Sequence, residues 1–112
     1  MKLTPRMLQG MYYALKFCAP FNEYRLPDPH KVTFTVTRSS MTCGEYDTDP
    51  HQIKVSKVAN ADLNAVLQTM AHEMVHFALE RKGAKDHAHH DSEFNALAAQ
   101  VCDEWGWNFK EF

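Results

Sequence analysis

Between Asn60 and Gly83 the chain runs ADLNAVLQTMAHEMVHFALERK, with no glycine or proline to interrupt it. At about 100° per residue on a helix, Leu63, Val66, Leu67, Met70, Met74 and Phe77 form one apolar stripe, while Val75 and Leu79 form a second. His72, Glu73 and His76 occupy the arc between the two. A helix apolar on both sides of a polar arc has to be buried around that arc, and buried polar groups need strong partners. The rest of the chain must therefore pack against more than one side of this helix and still satisfy His72, Glu73 and His76. A metal ion is one partner that does so.

The remaining segments are read around this helix, for which Asn60 is the expected cap, residues 61–82 the body and Gly83 the end. Thr4 and Pro5 open a first helix whose apolar positions Leu8, Met11, Tyr12 and Leu15 follow helical spacing, and which stops before Pro20. The prolines of PFNEYRLPDPH make a loop. KVTFTVT alternates on period two, and TCGEY and QIKVSKV are two further short strands joined by DTDPH, which together predict a small antiparallel sheet. AKDHAHH is a loop. A last helix starts at Asp91 or Ser92 and runs to about Glu104, with Gly106 beyond it. The fold class is α+β, one domain over residues 1–112.

With 12 basic and 14 acidic residues spread along the chain, the formal net charge is -2. Nothing here resembles a nucleic-acid-binding tail or a polybasic membrane patch. No apolar run approaches transmembrane length, and Pro5, Arg6, Gln9 and Gly10 break up any signal segment. Cys18, Cys43 and Cys102 are far apart and form no C-x-x-C pair, which fits buried thiols in a reduced, cytoplasmic setting. Of the seven histidines, five lie between positions 72 and 90.

The spacing of His72 and His76 suits metal chemistry. Residues four apart on a helix stack one turn apart, so both rings reach one ion. Glu73 then stands beside the open coordination position, where a carboxylate accepts a proton from the attacking water and passes it to the leaving amine. A catalytic zinc usually takes a third protein ligand, and the candidates are His87, His89, His90 and Glu93. The metzincin extension would need glycine at position 79 and histidine at position 82, where the chain has Leu79 and Lys82. An extension with histidine at position 80 meets Glu80 instead.

HEMVHFAL followed after a short loop by HDSEF resembles the SprT-like zinc metallopeptidases, the group containing the Spartan-type proteases; WLM-type peptidases are similar at the same place. Their pattern is H-E-x-x-H, a loop, then H-G-x-x-F opening the next helix. The stretch CGEYDTDPHQIKVSKV is also similar to the family's strand region, so the resemblance covers about residues 32–105. It implies a zincin-like minimal domain, with the small antiparallel sheet packed on the H-E-x-x-H helix and flanked by N- and C-terminal helices. It also implies Zn2+ held by His72, His76 and His90, Glu73 as general base, Phe94 as a packing residue, and a protein or peptide substrate. Asp91 stands where the family has glycine, which leaves His89 and then Glu93 as alternative third ligands. The zinc ribbon of many SprT-like proteins is not found in this sequence, nor are Spartan's tails. Nucleic-acid association therefore rests on the resemblance alone.

The function expected is zinc-dependent peptide hydrolysis. A metal-stabilised binding module without catalysis and a zinc amidase acting on a non-protein substrate are the alternatives. The strand near residues 52–57 is the expected edge for an extended peptide. Tyr46 is a minor candidate for stabilising an oxyanion and stays outside the site. WGWNF is read as a cluster sealing the core, and His30 and His51 as solvated loop residues.

Overall fold

Thr4 and Pro5 begin the first helix as the sequence implies. In the computed structural model, which describes residues 2–48, 50–84 and 89–112, the Thr4 hydroxyl accepts from the Met7 amide and α1 spans Pro5–Lys16. Its Leu8, Tyr12 and Leu15 are fully buried. Three strands follow, β1 (Thr33–Thr37), β2 (Gly44–Thr48) and β3 (His51–Ser56), then α2 (Leu63–Lys82) and α3 (Ser92–Trp105). Single 3-10 turns lie at Phe21–Glu23, Pro29–Lys31 and Phe109–Glu111. The architecture is α+β. No helix among the described residues is long and apolar enough to cross a membrane.

The sheet corrects one expectation. Its order is β1-β3-β2, with β3 antiparallel to β2 but parallel to β1, so it is mixed rather than antiparallel. Alternation in a sequence shows which face a side chain takes and says nothing of which strand lies next to it. The placement is made by the connection from β1 to β2, which crosses the end of β3 and is held there. The buried Ser56 hydroxyl donates to the Ser39 carbonyl at 2.6 Å, and the Ser56 amide donates to the Cys43 carbonyl at 2.8 Å. Consequently the strand at residues 51–56 is central, not the edge expected for peptide addition, and β2 forms one edge.

Register puts Phe34, Ile53 and Tyr46 in one row and Val36, Val55 and Gly44 in the next. These rows meet the helices: Tyr12 of α1 packs on Phe34 and Tyr46 stacks on Phe77 of α2. The other sheet face is polar, with Gln52 donating to Thr35 and Lys54 paired with Asp47 at 3.4 Å. α2 packs against β2, β3, α1 and α3 together, which explains both of its apolar stripes. Ten of its residues are buried, Glu73 and His76 among them. Leu63, assigned to the first stripe, is exposed at the open first turn.

Three local readings are also revised. Asp62, not Asn60, caps α2, its carboxylate accepting from the Ala65 amide at 2.8 Å. Asn60 is buried and donates to the Cys43 and Ser56 carbonyls while accepting from the Thr69 hydroxyl, which ties β2, β3 and α2 at one point. Of the cysteines only Cys102 is buried, and Cys43 is exposed. Within WGWNF, Trp107 packs on the core whereas Trp105 and Phe109 are exposed.

The two asparagine-region roles separate on mutation. Asp62→Ala removes one exposed cap and should cost about 1 kcal/mol. Asn60→Ala removes a hydrogen bond from the Ser56 carbonyl, from the Thr69 hydroxyl and from the Cys43 carbonyl, which keeps only the Ser56 amide, and should cost about 3 kcal/mol. Denaturant unfolding of both variants checks the order, and a larger loss for Asp62→Ala would reverse the assignment.

Candidate metal centre

Glycine ends α2 where the sequence expects it. Gly83 adopts a left-handed conformation with φ of 84°, which closes the helix with its amide bonded back to the last turn. The chain then returns, and Asp91 caps α3 by accepting from the Phe94 amide at 3.0 Å. Asp91 has φ of -87°, so the position needs no glycine. The carboxylate supplies the helix start instead, and His90 is left immediately before it.

This brings His90 to the arc on α2. Its Nε2 lies 3.1 Å from Nε2 of His72 and 3.3 Å from Nε2 of His76. Two donor atoms on one tetrahedral ion at about 2.0–2.1 Å lie about 3.3 Å apart, so the three rings fit a single cation. Among the described residues they are the group of three whose ligand atoms all lie within 4.8 Å of one another. The set is close enough to bind a metal ion, and three imidazoles are compatible with zinc.

Phe94 supports the cluster from below. Its buried ring stacks on His90 at 4.3 Å between centroids and lies 4.7 Å from His76 and 5.0 Å from His72. On the far side of His72, Nδ1 donates to the main-chain oxygen of Phe112 at 3.1 Å. Burial first, and then the neighbouring His76 and His90, lower the His72 pKa to about 4, which keeps that ring neutral and its lone pair available to a cation.

The alternative third ligands fall elsewhere. His89 and Glu93 are exposed and outside the convergent set, and His87 lies outside the described residues. Tyr46 is directed away from the cluster, its hydroxyl 3.0 Å from His51 Nδ1 and 3.5 Å from Glu80. His51 is thus half-buried against Tyr46 and Phe77, not solvated, whereas His30 is exposed as expected.

Glu73 sits beneath the start of β2. Together with His72 it lines a cleft of about 560 Å³, walled by Thr42–Gly44, Asn60 and Thr69 on one side and by Glu111 and Phe112 on another. Gly44 makes this contact close. A Cβ there would stand 2.6 Å from Thr69 Cγ2, 3.1 Å from the Lys54 carbonyl oxygen and 3.2 Å from Glu73 Cγ. Gly44 and Asn60 were not singled out for the site from sequence, and the only signal was a glycine inside a strand.

Burial, reinforced by Glu45 and Asp47, raises the Glu73 pKa from 4.5 to about 8. A group whose pKa is raised by folding favours the folded state fully below its unfolded value and loses that contribution as pH rises through the folded value. Metal-free protein should therefore be weakened by Glu73 between pH 4.5 and 8. Glu73→Gln removes that dependence. The unfolding free energy of the chelated variant should gain on that of chelated wild type from pH 5 to pH 9, by a few kcal/mol at most. A constant difference across that range would show that Glu73 ionises as it does in water.

No curated protein and no solved structure matches the chain. A family model described as the SprT-like family matches residues 15–110, which contain α2, the cluster and all three strands. A match over most of the length, on the segments that build this site, establishes that the chain belongs to the SprT-like family.

Proposed function

We propose that the protein is a zinc-dependent metallopeptidase in which His72, His76 and His90 hold the ion and Glu73 is the general base. The observation that carries the reading is the meeting of three Nε2 atoms, one of them from His72, which lines a cleft together with the buried Glu73 next to it in the chain. When bound, zinc would supply a Lewis acid that polarises the scissile carbonyl and makes water more acidic. A carboxylate with a raised pKa suits proton transfer near neutral pH. Glu73 would take the proton of the attacking water and deliver it to the leaving amine, and the cation's charge would bring its pKa down when the site is loaded. His72, kept neutral, holds its donor atom ready. The access for an extended peptide is through β2, an edge strand whose start walls the cleft. Main-chain pairing along that edge would bind many sequences.

A purely structural site has no need of a base beside an open position, and the test turns on that residue. Purified protein should hold about one zinc per chain, and His72→Ala or His76→Ala should lose it. Glu73→Gln should keep the zinc while cleavage of an unfolded protein such as casein falls by about 10²- to 10⁴-fold. Equal cleavage by wild type and Glu73→Gln would remove Glu73 from the mechanism. A wild type that binds zinc without cleaving any unfolded or peptide substrate would favour a metal-stabilised binding module.

A further inference from the structure

The tail beyond α3 does more than close the core. Gly106, at φ of 71°, turns the chain out of α3 and lets the Trp107 amide donate to the Cys102 carbonyl. Trp107 then donates from its indole to Asn64 at 3.3 Å, near the start of α2, and its ring stacks with Phe112 at 6.1 Å. The turn at Phe109–Glu111 is closed by Asn108, which accepts from the Lys110 amide, and Phe112 donates back to Phe109. The result is a strap fastened at both ends, with Phe112 packed on the core and its ring 5.3 Å from that of His72.

We infer that Phe112 is a positioning residue for the metal site: its main-chain oxygen fixes the tautomer and direction of His72. This rests on the metal-site reading above. A main-chain oxygen only accepts hydrogen bonds, so the 3.1 Å contact requires the His72 proton to be on Nδ1. Nε2 then presents a lone pair, and it is Nε2 that faces His90 and the centre of the cluster. Without this partner the half-buried ring could rotate or carry its proton on the donor atom. Outer partners of this kind typically change metal affinity about 10- to 100-fold. Because Glu111 and Phe112 also wall the cleft, the strap holds a ligand and bounds the substrate channel at once.

The anchor of the oxygen is the Phe112 ring, so Phe112→Ala releases it and Phe112→Leu retains an apolar anchor. Zinc affinity, measured by competition with a chromophoric chelator, should fall about 10- to 100-fold in Phe112→Ala and stay near wild type in Phe112→Leu. Nitrogen chemical shifts of the metal-free wild type should show His72 protonated on Nδ1, moving to a mixture of tautomers in Phe112→Ala. Wild-type zinc affinity in a folded Phe112→Ala, or His72 protonated on Nε2 in the wild type, would overturn the inference. If Phe112→Ala does not fold, the wild-type tautomer decides. If wild type binds no zinc, the proposed function fails, while the tautomer still tests the role of Phe112.

Discussion

Three imidazole rings, two from α2 and one from the turn just before α3, meet at one point, and most of the architecture can be understood as what that meeting requires. Two of the rings come with a helical turn and cost the fold nothing beyond the helix itself. The third must be returned to the same place, which needs a clean end to α2 at Gly83 and a firm start to α3 at Asp91. Phe94 lies one turn into α3, and its ring meets all three imidazoles. The start of α3 thus both delivers His90 and builds the floor on which the cluster rests.

The same helix has a second obligation on its other side. Glu73 is 6 % exposed, and a buried carboxylate is tolerated only where folding gains elsewhere compensate for its desolvation. Here the gain is the packing of β2 on α2, which Gly44 makes close and which the Asn60 and Ser56 hydrogen bonds lock in register. The geometry therefore separates two tasks by direction round α2: histidines toward α3, carboxylate toward the β2 edge. The cleft lies on the β2 side, lined by Glu73 and, of the three histidines, by His72.

Much of this was legible in the sequence, and for identifiable reasons. The period of α2 announced its burial, and the i, i+4 histidines announced the arc. Thr4, Pro5, Gly83 and Gly106 marked helix ends through conformational preferences that act locally. What was not legible depends on contacts between distant segments. The parallel pairing of β1 with β3 is set by the crossing at Ser56, which no alternation reports. Asn60 looked like a cap because its type suits one, yet Asp62 is the residue placed to accept from α2, and Asn60 serves three strands and helices at once. Asp91 looked like a departure from the pattern around His90, whereas its carboxylate performs the local task of starting the helix. Phe112 carried no signal at all, since its contribution is a main-chain oxygen.

Zinc-edge X-ray absorption of the purified protein tests the central claim most directly, because it reads the donor atoms without reference to activity. The account predicts nitrogen or oxygen neighbours alone at about 2.0–2.1 Å, with the outer-shell scattering of three imidazoles, lost by one ring in His90→Ala. A sulfur neighbour at about 2.3 Å, or imidazole scattering unchanged in His90→Ala, would contradict it.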